Sequence, residues 1–274
     1  MKKALIAVGL FIGINATAQI STNSTNNNSG SSSQSAIGLQ TTASGVASTA
    51  MGRETLASGH YSTAMGYLTT AGGETTASGV ASTAMGRETK ATADYSTAIG
   101  FLTNADGGSS IAMGRQTLAD ALYSTAMGWQ TTASGNSSTA TGYLTTASGE
   151  SSSSMGRETL ASGPYSTALG YVTTANGSAS TVMGKGTIAS DFGSLVIGQY
   201  NLSGATVTNS ATEANYANTA FVIGNGTFSN AKSDAFKVMV NGNTTVGNNL
   251  TVSGDIVVSS DARLKANIVS LGST

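Results

Sequence analysis

The residues able to do chemistry stand at fixed intervals rather than in a cluster. Arg53, Tyr67, Arg87, Phe101, Arg115, Trp129, Tyr143, Arg157, Tyr171 and Lys185 each follow a glycine, and all but one step between them is 14 residues. Cations and rings in such a row suit cation–π contact, either as glue between neighbouring repeats or as a stripe that contacts a ligand. Tyr61, Tyr95, Tyr123 and Tyr165 form a second file of rings at the same kind of spacing. Catalytic sets are missing. The single His, His60, occupies a slot held elsewhere by Val46, Val80, Asp94, Asn136, Glu150, Pro164 and Phe192, the tolerance of an exposed loop. Glu54, Glu88 and Glu158 recur because the unit recurs. No paired carboxylates, His/Cys cluster or phosphate-cradling loop stands out, and runs such as "GRETLASG" have no helix to sit on. The expectation is no enzyme in this region, no cofactor and no metal.

What positions these residues is a chain of unusual composition. It has 274 residues, 35 Gly, no Cys, one Pro, 9% charged residues and a net charge of −1. The near-neutral charge gives no electrostatic case for nucleic acid, and no basic stripe appears. Few large apolar side chains means that a single thick core is not expected. At the N-terminus, Lys2 and Lys3 precede an apolar run over residues 4–14, and Ala16 and Ala18 form a small-x-small site. This reads as a signal peptide over residues 1–18, cleaved after Ala18, because the run is too short to cross about 30 Å of hydrocarbon. The expected location is secreted, extracellular or at the outer cell surface. Residues 19–35 read as a polar Ser/Asn linker without ordered structure.

Then a ruler begins. Gly38, Gly52, Gly66, Gly86, Gly100, Gly114, Gly128, Gly142, Gly156, Gly170, Gly184 and Gly198 are 14 apart, except for six extra residues between Gly66 and Gly86 around "GGETTA". A short fixed period is a solenoid signature. Because 14 is even, the in/out alternation of a strand stays in phase from repeat to repeat. Thr55, Ala57 and Gly59 form one inward face and Ser62, Ala64 and Gly66 another, with turns at Gly59–Tyr61 and Gly66–Tyr67. The opposite face of the second strand carries an apolar column: Met51, Met65, Met85, Ile99, Met113, Met127, Met155, Leu169, Met183 and Ile197. Such a stripe needs burial, either within the chain's own interior or against copies of itself about a three-fold axis; the homotrimer is the expectation.

"YSTAMGYLTTASG" and "SSTATGYLTTASG" resemble the Ser-x-Ala-x-Gly repeats of YadA-type trimeric autotransporter adhesin heads, from about Ser35 to Gly198. The resemblance implies an all-β fold: a left-handed parallel β-roll solenoid, trimeric, with Thr63- and Met65-type positions toward the trimer axis. It implies attachment to an unknown surface ligand, such as host matrix, glycan or a neighbouring cell. That family's coiled-coil stalk and outer-membrane barrel anchor have no counterpart in this sequence, so self-transport is not expected.

Residues 36–198 are thus read as head repeats and 199–258 as a β-rich neck or stalk, with short β-prone runs and Asn-Gly turns. Residues 259–274, opening with "SSDARLKANI", resemble the start of an endosialidase-type intramolecular chaperone, a self-cleaving domain of trimeric fibres. That resemblance implies cleavage between Ser259 and Ser260, with Ser260 as nucleophile and Lys265 as its base. Two alternatives stand beside a surface adhesin. A phage or contractile-injection tail fibre fits the stalk and chaperone motif, but not a signal peptide. An ice-binding solenoid fits the Thr column at 41, 55, 69, 89, 103, 117, 131, 145, 159 and 173, except that this column should point inward.

Overall fold

The computed structural model describes residues 34–67 and 75–254, together with the backbone of Asn27 and Asn28. The expected signal segment over residues 1–18, and Ser260 and Lys265, lie outside the described residues. The described chain is all-β and winds as a parallel solenoid of about 11 turns at 14-residue spacing. Each turn contributes a short strand such as Thr132–Ala133 to one sheet and a five-residue strand such as Thr125–Trp129 to the other. The two sheets pair every strand with its counterparts one turn before and after. Register is strict: Thr125 pairs with Ile111 and Thr139, and Gly128 with Gly114 and Gly142. The six extra residues leave that register untouched, since Thr63–Tyr67 pairs onto Thr83–Arg87 and Gly66 still opposes Gly86.

The interior is two facing files of alanine, exemplified by Ala126 on the long strands and Ala133 on the short ones, all with no solvent exposure. Thr and Ser columns complete it, with Thr131 and Ser138 fully buried. A helix is excluded because β-branched and small residues dominate without a 3.6-residue period. Backbone polar groups find partners in the next turn, which is what buried N–H and C=O require. The corners keep this ladder intact. Tyr61 N donates to Val46 O at 2.7 Å and Glu54 N to Leu39 O at 2.8 Å, each from a residue in the left-handed region.

Several expectations are corrected. The second turn is not at Gly66–Tyr67: both belong to the strand Thr63–Tyr67, and the chain bends at the next position, where Glu54 has φ 54°. Nor does Gly66 line the interior; it is half-exposed, with φ 154°. At this φ the pleat breaks, and the position that would carry a Cβ looks along the solenoid axis into the next turn. In the short-strand register Thr55 pairs with Thr75, and Thr69, counted in the Thr column, lies outside the described residues. The polar linker is not wholly without structure, since Asn27–Asn28 pairs in parallel with Thr42–Ala43. An open parallel edge offers unpaired N–H and C=O groups that recruit any extended segment nearby.

At the other end the ladder is closed by side chains that imitate backbone. Asn201, fully buried, accepts from Ile188 N and donates to Ile188 O, both at 2.8 Å. The buried carboxylate of Asp191 accepts from Thr208 N and Thr219 N. Thr219–Asn225 makes the last parallel pairing, with Leu195–Gln199, and its free edge is taken by the antiparallel strand Asp234–Met239, then Thr244–Val246. Capping of this kind is what a solenoid end needs.

Two predictions test this packing. A Cβ on Gly128 would sit 2.0 Å from the carbonyl oxygen of Gly142, at a φ of 126°. Gly128→Ala should cost at least about 3 kcal/mol, through strain and backbone clash together. A Cβ on Gly135 would come equally near the carbonyl oxygen of Gly149, at 2.0 Å, but without a positive φ. Ala93 and Ala121 occupy the same slot in other turns and show that the corner can shift to take it, so Gly135→Ala should cost only about 1–2 kcal/mol. Thermal melts of the two variants give the comparison. The second prediction concerns Thr131, whose buried Oγ1 has no protein partner. Two turns on, Ser154 replaces a core alanine and its Oγ lies 2.7 Å from Thr159 Oγ1. Ala126→Ser should supply Thr131 in the same way and leave stability within about 0.5 kcal/mol, where an unpartnered buried hydroxyl would cost about 1–3 kcal/mol.

Candidate functional site

The long-strand sheet presents its outer face as three columns, set by strand alternation and by the glycine that breaks it. In Thr125–Trp129 the first residue, the third and the fifth face outward, while Ala126 is buried. The middle column is the apolar stripe. Register stacks Met51 on Met65, Met65 on Met85, Met85 on Ile99, Ile99 on Met113 and Met113 on Met127. Beyond Thr141 it resumes with Met155, Leu169, Met183 and Ile197. None of these side chains is in the interior; Met155 and Met183 are each 40% exposed and the others half-buried. The reading in which methionines fill the chain's own core is therefore excluded. The stripe is also longer than the sequence pattern suggested, because Ile37 pairs with Met51 and Ile223 with Ile197. Ile223 was missed because the residues before it break the period.

The third column is the row of cations and rings. Arg53 lies 5.6 Å from the Tyr67 ring and Arg87 4.8 Å from Phe101. Arg115 is held between Phe101 at 5.7 Å and Trp129 at 5.1 Å, and Arg157 between Tyr143 at 5.4 Å and Tyr171 at 5.3 Å. Lys185 continues the row onto Tyr200, 5.8 Å away. Where two rings adjoin, Trp129 and Tyr143 meet edge-to-face with centroids 5.0 Å apart. Rung spacing of about 4.8 Å brings each cation within the roughly 6 Å reach of a ring above or below. Arg53, Arg87 and Arg157 also pair with the adjacent Glu54, Glu88 and Glu158 at 2.9–3.2 Å. The Glu158 hydrogen bond and charge push the Arg157 pKa up.

At the opposite corner Tyr61, Tyr95, Tyr123 and Tyr165 are 59–65% exposed. His60 sits beside them in the loop and accepts from Val46 N at 3.1 Å, and Asp94 accepts from Val80 N in the same manner. Both serve as loop hydrogen-bond acceptors for the preceding turn. Among the described residues there is no group of His, Cys, Asp or Glu able to hold a metal. No helix among them is long and apolar enough to cross a membrane. The Thr column that an ice-binding face would need is interior: Thr89, Thr103 and Thr131 have no exposure.

Such a roll of Ser-x-Ala-x-Gly turns defines a repeat protein whose surface is ordered as columns. The family described as "YadA head domain repeat (2 copies)" matches residues 35–55, 57–75, 77–103 and, in overlapping windows, 105–187. These matches span more than half of the chain, which therefore belongs to the YadA head repeat family. Proteins of this family are non-enzymatic, trimeric adhesins, generally at cell surfaces. No curated protein is a significant match to the chain.

The ladder is testable by itself. Arg115→Ala and Trp129→Ala should each lower the melting temperature, and a double-mutant cycle should give a coupling of about 0.5–1 kcal/mol. Additive effects would mean that the two side chains do not interact in solution.

Proposed function

We propose that this chain forms the head of a homotrimeric, secreted or cell-surface fibre that works by attachment. The observation that carries the reading is the apolar column at the centre of the long strands, outside the protomer and broken only at Thr141 along the roll. A contiguous apolar surface of that length marks an interaction face. Family membership supports a three-fold arrangement. Three copies with their long-strand sheets turned inward would bury Met51, Met65, Met85 and their successors together, and leave the short-strand sheets outward for the ligand. In this reading the cation–ring row joins rungs; a ligand-contact role for it would require the rings to remain free in the assembled fibre.

Export by residues 1–18, removed after Ala18, and maturation at Ser259–Ser260 belong to the same proposal. They rest on the sequence resemblances alone. A chain extended by its downstream coding sequence should be cut between Ser259 and Ser260, and Ser260→Ala should stay whole by intact mass. Cleavage persisting in that variant would remove Ser260 from the step.

The trimer is tested with Met127→Asp, which would set three carboxylates in a dry interface at a cost of several kcal/mol. Light scattering should report a trimer for the unaltered chain and a shift to monomer for the variant, with its β-rich circular dichroism kept. A well-folded monomer in the unaltered chain would defeat the proposal.

A further inference from the structure

The two corners that flank the long-strand sheet differ in charge and size in a correlated way. The strand ends carry the five cations Arg53, Arg87, Arg115, Arg157 and Lys185 against the three carboxylates Glu54, Glu88 and Glu158 that pair with Arg53, Arg87 and Arg157, which leaves an excess of two positive charges on this edge. The corners before the strands carry Asp94, Asp106, Asp120 and Glu150, with no Lys or Arg in any corner between Ser44 and Ser180. Rungs ending in Tyr67, Phe101, Trp129 and Tyr171 begin with Tyr61, Tyr95, Tyr123 and Tyr165. Rungs ending in Arg53, Arg87, Arg115, Arg157 and Lys185 begin with the small Ala47, Ala81, Ser109, Ser151 and Ala179. A duplicated two-rung unit would copy both corners, but copying alone does not make them complementary.

Within one protomer the two corners do not meet. Tyr123 and Trp129 are separated by a whole strand, about 20 Å at 3.3 Å per residue. All ring contacts of the row run along the solenoid axis to the next rung. We propose that each seam of the assembly joins the cationic strand-end corner of one copy to the acidic, tyrosine-bearing corner of the next. The inference rests on the trimer reading above. In a closed three-fold ring with the strands perpendicular to the axis, all strands run in the same sense around it, so unlike edges face each other. This is a heterologous interface that closes. A two-fold axis along the strand direction would instead bring like edges together, Asp94 and Asp120 on the same seam as their own copies, and like charges repel. A covalent trimer rather than a dimer alone separates the three-fold ring from a two-fold along the roll axis. At one height a ring then meets the neighbouring copy's tyrosine. At the next, a long Arg enters the space left by Ala or Ser and lies between the tyrosines above and below. The row thereby becomes the glue between protomers as well as between rungs.

The absence of any Cys in the chain makes the test direct. Tyr123→Cys and Trp129→Cys are placed together in the full chain, which is mildly oxidised and run on a non-reducing denaturing gel. The two Cα atoms are far beyond the roughly 7 Å limit for a disulfide within one protomer, so bonds form only between copies. The expected result is covalent dimers and a closed covalent trimer from the double variant, and only monomer from either single variant. Dimers from Tyr123→Cys alone would show like edges in contact and overturn the inference. So would an uncrosslinked double variant that light scattering shows to be a trimer, and in that case the trimer reading stands. A monomer by light scattering in the unaltered chain would overturn both. Should the double variant fail to fold, Ser137→Cys with Tyr143→Cys samples the same seam one rung further on.

Discussion

Every column in this molecule depends on how closely one rung approaches the next at the long-strand glycines. The backbone there is held at φ 124–136° along most of the roll, and a Cβ would fall within about 2 Å of the following glycine's carbonyl oxygen. Only glycine fits that combination, so glycine stacks on glycine and the 14-residue period is enforced sterically. The extra residues between Gly66 and Gly86 illustrate the rule. They enter between Tyr67 and Thr75, where the chain leaves one sheet for the other, and both ladders remain in step. A register fixed at one atom per turn is what allows side chains at the other positions to line up as continuous files.

Close stacking also sets what the interior can hold. Two alanine files and two hydroxyl files fill the space between the sheets, and Val182, Val196 and Val222 enlarge it only toward the capped end. Little apolar area is buried per turn, so cohesion comes from backbone hydrogen bonds between rungs and is spread along the axis, as in other one-dimensional repeats. Larger apolar groups have no place inside. Methionine, isoleucine and leucine accordingly stand on the outer face, where the flexible thioether of methionine adapts to varied contacts. The thin core and the external stripe are thus two consequences of one constraint.

Much of this was legible in the sequence, because an even period fixes which residues share a face. The buried Ala57 and Ala64, the outward Met65 and the row from Arg53 to Lys185 follow from alternation alone. What was not legible came from backbone conformations that break alternation. The φ of Gly66 removes it from the inner face, and the left-handed Glu54 moves the bend one position on. That Thr55 pairs with Thr75 could not be read from spacing either, because the six extra residues leave the register between these turns open. The cap built by Asp191, Asn201 and Asn218 was invisible for a different reason: its carboxylate and amides satisfy backbone groups far away in sequence.

The departures from the repeat are concentrated in adjacent rungs. Thr141 interrupts the apolar column, Tyr143 occupies a slot where alternation calls for a cation, and Ser154 enters the alanine file. Tyr143 and Ser154 each have a local partner that keeps the ladder continuous. The edge-to-face contact of Trp129 with Tyr143 replaces a cation–π contact, and Arg157 then lies between Tyr143 and Tyr171 as Arg115 does between Phe101 and Trp129. Ser154 is paired with the buried Thr159 hydroxyl. The sequence at these rungs changes chemistry without changing shape, which is the freedom that a fold fixed by its glycine column leaves to the rest of the surface. Substitutions in the outer columns alter what the roll meets while the rungs themselves stay stacked, and a surface of that kind suits a protein that works by contact.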